Sequence, residues 1–213
     1  EIVSSYFEDG SRFGVNIKYV IENEPRGTAG ALRDALRFLA PQFIVLYGDT
    51  YFDIDLRKFF DEHLISDADA TLFVHPNDHP YDSDLVVLDG NRNISEIYPY
   101  PHPELHNFGN LVNAALYAFR NNSLSKYIPE KGKSDIAKNM FPKMLITGSK
   151  LHGYVSPEYI KDMGTPDRID KVERDIENGL PERLSSRQLR AAIFLDRDGT
   201  LNREVNYLSS PQQ

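Results

Sequence analysis

Residues 43–47 read F-I-V-L-Y, five apolar side chains in a row, and the run stops at Gly48-Asp49-Thr50. A stretch that short and that apolar suits a strand covered on both faces, as in a parallel sheet. Upstream, Gly27-Thr28-Ala29-Gly30 opens a helical pattern with Leu32, Ala35, Leu36 and Leu39 on one face. Thr28 is the expected N-cap, and Pro41 closes the element. Residues 56–65 continue as a helix and 70–74 as a strand. This alternation predicts an α/β fold: a mixed, mostly parallel open sheet with helices on both faces, Rossmann-like in plan.

The remaining pattern is less regular. Residues 15–22 (V-N-I-K-Y-V-I-E) alternate as a strand would. Residues 85–88 and 94–97 read as a hairpin about Asp89-Gly90-Asn91. Residues 111–119 form a long apolar strand, 134–145 a helix capped by Ser134, and 151–155 another strand. Thr165-Pro166 places an N-cap and a first-turn proline before a helix ending near Asn178-Gly179. Residues 75–83 and 98–107 read as loops. Residues 2–7 look like the last turn of a helix, and 191–195 like the first strand of a new unit. The chain is therefore expected to be a piece cut at both ends. At about 150 residues per domain, its 213 residues make one domain and a remnant: 1–180, a polar basic linker 181–190, and 191–213.

Charge narrows the partners. Twenty-four basic against thirty-two acidic residues leave a net charge of −8, a poor match for nucleic acid or an anionic membrane. There is no cysteine, so no disulfide, thiolate metal site or cysteine nucleophile. No apolar run approaches a membrane span, and a soluble, cytoplasmic domain is expected. The six histidines fall singly, without a helical H-x-x-x-H pair for zinc. The twelve Tyr and twelve Phe are spread through strands, as core rather than as a base-stacking platform.

Three features point to chemistry. Asp49 follows a buried strand at the carboxyl edge, where open α/β sheets place ligands. Gly48 before it lets a ligand approach the backbone, and a carboxylate there suits Mg²⁺. On pattern alone a capped turn explains Gly-Asp-Thr equally well. Asp162, one residue past Lys161 and just before Gly164 and a capped helix, could share one hard cation with Asp49 or be a solvated carboxylate. Gly27-Thr28-Ala29-Gly30 would present free N–H groups to a phosphate or a base edge.

Together, E-P-R-G-T-A-G-A-L at 24–32, F-I-V-L-Y-G-D-T at 43–50, N-A-A-L-Y at 113–117 and Y-I-K-D-M-G-T-P at 159–166 resemble the sugar-1-phosphate nucleotidyltransferases. The resemblance covers residues 1 to about 180 and implies the nucleotide-diphospho-sugar transferase fold. It implies that a nucleoside triphosphate and a sugar 1-phosphate give a nucleotide-sugar and pyrophosphate, with Mg²⁺ as cofactor. By the same match Asp49 and Asp162 are the catalytic metal carboxylates, Gly27, Thr28 and Gly48 bind nucleotide, and Asn113 binds sugar. Glu22 falls at a base-reading position. A carboxylate accepts from N–H groups only, and guanine offers adjacent N1–H and N2–H, so GTP is the expected donor.

Asp82-Ser83-Asp84-Leu85 resembles the subgroup acting on heptose 1-phosphates, which implies D-glycero-D-manno-heptose 1-phosphate as substrate and Asp84 on sugar hydroxyls; a charged loop explains the same carboxylates equally well. Two positions depart from the family. Ala115 stands where many members have Gly, and Tyr98-Pro99-Tyr100-Pro101-His102 replaces the Glu-Lys-Pro whose lysine meets the sugar phosphate. The family's Gly-rich phosphate loop is not found in these residues, so the 213-residue chain alone is expected to be inactive; robust nucleotide-sugar formation by it would refute this. A noncatalytic module that binds nucleotide-sugars is the alternative. The tail, A-A-I-F-L-D-R-D-G-T at 191–200, resembles the first motif of haloacid-dehalogenase-type phosphatases. That match makes Asp196 a nucleophile and Asp198 a proton donor, and the parent a bifunctional enzyme of heptose activation.

Overall fold

The computed structural model describes residues 2–77, 82–102, 109–122, 124–189, 193–196 and 200–201. Helix α1 (Ile2–Phe7) leads through a turn and an irregular segment to α2 (Gly27–Ala35), then to strands β1 (Gln42–Leu46) and β2 (Thr50–Asp53). Helix α3 (Leu56–Ser66) is followed by β3 (Ala70–Pro76), the hairpin β4 (Leu85–Leu88) and β5 (Ile94–Tyr98), and the long β6 (Leu111–Arg120). A π-helical turn (Ile136–Met140) runs into α4 (Phe141–Ile146). Strands β7 (Leu151–Val155) and β8 (Tyr159–Asp162) and helices α5 (Pro166–Glu177) and α6 (Leu180–Leu184) complete the order.

Six strands make one sheet in the order β5-β4-β6-β3-β7, with β1 also on β6. Strand β6 is long enough to serve two neighbours along one edge: Val112 pairs with Leu85 of β4, and residues 116–120 pair with β1. Its other edge runs antiparallel to β3, which lies parallel to β7. Strands β1, β3, β4 and β7 therefore point one way and β5 and β6 the other. This is the mixed open α/β sheet expected, with β6 inserted against the common direction so that β3 and β7 are the one hydrogen-bonded parallel pair among the described residues.

The two-residue period of β3 divides the core. Ala70, Leu72 and Val74 face α2, the π-helical turn and α4, packing with Ala29, Leu32, Met140, Phe141 and Met144. Phe73 points to the other face, where Phe59 of α3 and Tyr154 of β7 meet it with ring centroids 6.1 and 5.6 Å away. Such aromatic pairs contribute about 0.5–1.5 kcal/mol each beyond their area. Helices thus cover both faces, as the alternation predicts.

Several expectations need correction. Residues 15–22 form no strand, because no ladder partner meets their backbone among the described residues and Val15, Tyr19, Val20 and Ile21 stay exposed. Strand β1 is not buried on both faces: it pairs with β6 alone, and Leu46 is exposed. Thr28 is not a cap; Arg26 holds that position, and the Thr28 hydroxyl is used elsewhere. Asp135, not Ser134, caps the helical stretch after it, accepting from Lys138 N at 3.0 Å.

The linker is partly helical, as α6. Its end is tied down by the buried Glu158 carboxylate, whose Oε1 accepts from Asp55 N and Ser186 N, each at 3.1 Å. Residues 193–196 are irregular and exposed, not strand, and Asp198 lies outside the described residues. Finally, β2 and β8 pair antiparallel as a separate two-stranded ribbon that the sequence reading does not contain.

Candidate active site

The ribbon carries the two carboxylates. Thr50 pairs with Asp162, and one step beyond the ladder Met163 N donates to the Asp49 carbonyl at 2.6 Å. In a regular antiparallel pair residues 49 and 162 would face opposite sides, since opposed residues share a face and neighbours alternate. The chain leaves strand geometry at Gly48-Asp49 and at Met163-Gly164, and the two side chains then approach one point. A Cβ at Gly164 would stand 3.1 Å from Asp162 Oδ1 and 3.5 Å from Asp49 Oδ2. Glycine leaves that space to the two acids. Asp162 Oδ1 accepts from Gly164 N at 2.6 Å and Oδ2 pairs with Arg168 Nη1 at 2.7 Å.

Both acids line a cleft of about 500 Å³ that also takes in Asp84, Asn113 and Ala115, with Arg168 and Lys171 of α5 on its rim. Asp84 Oδ1 accepts from Tyr100 N at 2.7 Å, and its carbonyl accepts from Asn113 N at 2.9 Å. The Asn113 amide is oriented on both sides: Nδ2 donates to Tyr117 Oη at 2.9 Å, and Oδ1 accepts from Ala115 N at 3.2 Å. Tyr117 is fully buried, and burial pushes its phenol well above the usual tyrosine range, with the nearby Tyr47 adding to the shift. It therefore stays a neutral hydrogen-bond partner.

A second cavity, about 650 Å³ and largely apolar, lies between α2 and β1. Thr28 and Gly48 line it, and Tyr47 and Asp49 line both cavities, so the expected nucleotide side and sugar side meet at Asp49. The Thr28 hydroxyl donates to Asp135 Oδ2 at 2.8 Å and accepts from Ile136 N at 2.9 Å. Ala29 N is also taken, by the Ser134 carbonyl at 3.0 Å, so the loop has fewer free donors than its sequence suggests. Gly27 lines neither cavity. It has φ 75°, and a Cβ there would come 2.5 Å from the Ser134 carbonyl oxygen, which gives this glycine a packing reason.

Glu22 is not brought to the carboxylate pair. It lies in a separate cleft with Arg26, Lys131 and Lys133, and its Oε1 accepts from Arg26 N at 3.2 Å. Asp196 stands exposed in the irregular tail. Sequence reasoning missed Tyr47, Tyr117, Arg168 and Lys171: the tyrosines read as strand core, and the cations were not singled out within their helix. The usable signal was the spacing of Arg168 and Lys171, three apart on the helix that follows Asp162.

Among the described residues no group of three or more His, Asp or Glu side chains converges on a cation position. Two carboxylates facing one gap fit Mg²⁺ all the same, because that ion commonly keeps waters and substrate phosphates beside one or two carboxylates.

The paired carboxylates thus stand at the end of a ribbon beside an open α/β sheet and line one cleft with Asp84 and Asn113. The residues 1–179 match the model of the nucleotidyl transferase family, and the chain belongs to that family. Over 180 residues it is 30% identical to a D-glycero-alpha-D-manno-heptose 1-phosphate guanylyltransferase of Aneurinibacillus thermoaerophilus, covering 84% of this chain and 74% of that protein. Over 182 residues it is 29% identical to a mannose-1-phosphate guanylyltransferase of Mycobacterium tuberculosis, with 84% of this chain but 49% of that protein covered. The chain thus spans about half the length of the mycobacterial relative. The crystal structure of HddC from Yersinia pseudotuberculosis superposes with a TM-score of 0.67 at 22% identity, covering 83% of this chain and 74% of that one, which bears on the fold. Among the described residues no helix is long and apolar enough to cross a membrane.

Proposed function

We propose that this protein transfers a guanylyl group from GTP to a sugar 1-phosphate, with D-glycero-D-manno-heptose 1-phosphate as the acceptor. The observation that carries the reading is the approach of Asp49 and Asp162 to one point above Gly164, at the mouth of the cleft that holds Asn113 and Asp84. Two polyanions have to meet beside an acidic surface, and at 4 Å two like charges repel by about 4 kcal/mol even at an effective dielectric of 20. A bound Mg²⁺ would supply the charge neutralisation that lets the acceptor oxygen attack the α-phosphorus while pyrophosphate leaves.

The protein's own part is positioning. Asp49 and Asp162 would hold the ion. Asn113, fixed by Tyr117 and Ala115 N, keeps one N–H and one carbonyl lone pair for sugar hydroxyls, and Asp84 offers acceptors beside it. Thr28 and Gly48 border the cavity on the nucleotide side, where Gly48 has open space around it. Guanine as the base is supported by the two relatives named guanylyltransferases rather than by Glu22. The heptose is supported by one of them and by Asp82-Ser83-Asp84-Leu85.

A melting-temperature screen with Mg²⁺ and GTP, ATP, UTP or dTTP tests the donor, since a ligand that binds the folded state raises stability. GTP is expected to give the largest upward shift; an equal response to all four, or none, contradicts the assignment. The tail carries a separate proposal resting on its motif alone. Asp196→Asn is expected to abolish sugar-phosphate hydrolysis by any form of the protein that shows it while guanylyl transfer survives. Loss of both would count against two sites.

A further inference from the structure

The Asp162 carboxylate already has a cation against it. Arg168 Nη1 lies 2.7 Å from Oδ2, and the two side chains are 56% and 55% exposed. A pair this open to water is weak and exchanges readily. Lys171 follows at helical spacing i+3, so both cations sit on one side of α5, and both line the cleft with Asp49, Asp84 and Asn113. Beside them the cleft is lined by the carboxylates Asp49, Asp82, Asp84 and Asp162, with Lys161 as the further cationic side chain, so a dianionic ligand needs these cations. The Glu-Lys-Pro lysine that the family resemblance led one to expect is also absent from residues 98–102.

We propose that Arg168 is an exchangeable cation: it neutralises Asp162 while no divalent ion is held, and turns to the phosphate of the sugar 1-phosphate when the ion takes its place, with Lys171 completing the phosphate site. This rests on the guanylyltransferase reading above and adds the residues that receive the acceptor's phosphate. The guanidinium suits both duties, because its planar fork matches a carboxylate and a phosphate equally well. The exchange also couples the two ligands: the ion releases Arg168 for the phosphate, and the phosphate draws Arg168 off the ion's carboxylate. Each should tighten the other by the same factor.

The test uses the whole chain, with Mn²⁺ as the probe ion followed by electron paramagnetic resonance, and D-glycero-α-D-manno-heptose 1-phosphate followed by calorimetry at saturating Mn²⁺. Arg168→Gln is expected to bind Mn²⁺ about three- to fivefold more tightly when no sugar phosphate is present, since an exposed competing ion pair is gone. The same variant should bind the sugar phosphate about tenfold more weakly, the usual consequence of losing a charge-assisted contact. Lys171→Gln should weaken the sugar phosphate and leave Mn²⁺ alone, and Arg168→Lys should stay near the wild type for Mn²⁺. Melting temperatures confirm that each variant is folded. An Arg168→Gln protein with unchanged or weaker Mn²⁺ affinity, or with unchanged sugar-phosphate affinity, overturns the proposal. Wild-type protein that binds neither probe overturns the guanylyltransferase reading itself, and the role of Arg168 with it.

Discussion

Ala115 lies inside β6 at φ 56°, a left-handed conformation that glycine adopts freely and alanine does not. The register shows why. Leu72 pairs with Tyr117 and Val74 with Asn113, so two steps along β3 match four along β6, and the surplus forms a bulge beside the cleft. The bulge turns Ala115 N back onto Asn113 Oδ1 and sets the amide that faces the ligand. A family glycine at this point has a conformational reason that the sequence alone did not disclose. Ala115→Gly is expected to stabilise the fold by about 0.5–1 kcal/mol in urea unfolding; a destabilised variant would show that the bulge is not the constraint.

His63 is the second residue with a measurable consequence. It is a buried residue of α3 with Nδ1 2.8 Å from the Thr71 hydroxyl, and burial, followed by the charges of Arg120 and His152, lowers its pKa to about 4. The folded state therefore refuses a proton that the unfolded chain accepts near pH 6.5. Its contribution is intact above that pH and is lost as pH falls towards 4, on the order of 3 kcal/mol in all. His63→Phe should flatten the stability profile between pH 6.5 and 4; an unchanged slope would assign the loss to other groups.

At the level of elements, legibility followed length and partner. The helices α3 and α5 and the strands β3, β4, β5, β6 and β7 are long enough, or turn-bounded enough, for their period to show. The ribbon of β2 and β8 was invisible because T-Y-F-D and Y-I-K-D are four residues each, with no period to read and no turn signal joining them. Yet that ribbon places the carboxylates, so the site residues could be named from motifs while their support could not. Residues 15–22 failed the other way: alternation is half of a strand, and the partner is the other half. The α6 segment reads as polar linker, and what organises it is Glu158, far away in sequence and 2% exposed. That carboxylate accepts from Asp55 N, Ser186 N and the Ser156 hydroxyl. Glu158→Ala leaves a buried hydroxyl and two part-buried amides without this partner and should cost about 1–3 kcal/mol. It should also raise amide hydrogen exchange at Ser186; unchanged protection there would show that the carboxylate does not hold the segment.

Across the whole molecule, a sheet in which β5 and β6 run against the other four strands, with the β2–β8 ribbon beside it, brings residues 49, 84, 113 and 162 to one cleft, and an acidic protein gathers Arg168 and Lys171 there. The motif reading reached the acids and the asparagine because each lies in a short stretch that resembles the family. It put Glu22 at a base-reading position, whereas Glu22 lies in a separate cleft, since a resemblance transfers positions and not the path of an irregular segment; it did not single out Arg168 and Lys171 at all. Everything functional then depends on whether Asp49 and Asp162 act as ligands of a single ion. Mn²⁺ binding by the wild type, Asp49→Asn, Asp162→Asn and the double variant measures this directly. Two ligands of one ion predict a loss of about tenfold or more in each single variant and little further loss in the double. A single variant that binds Mn²⁺ as the wild type does, or losses that simply add, would contradict a shared site.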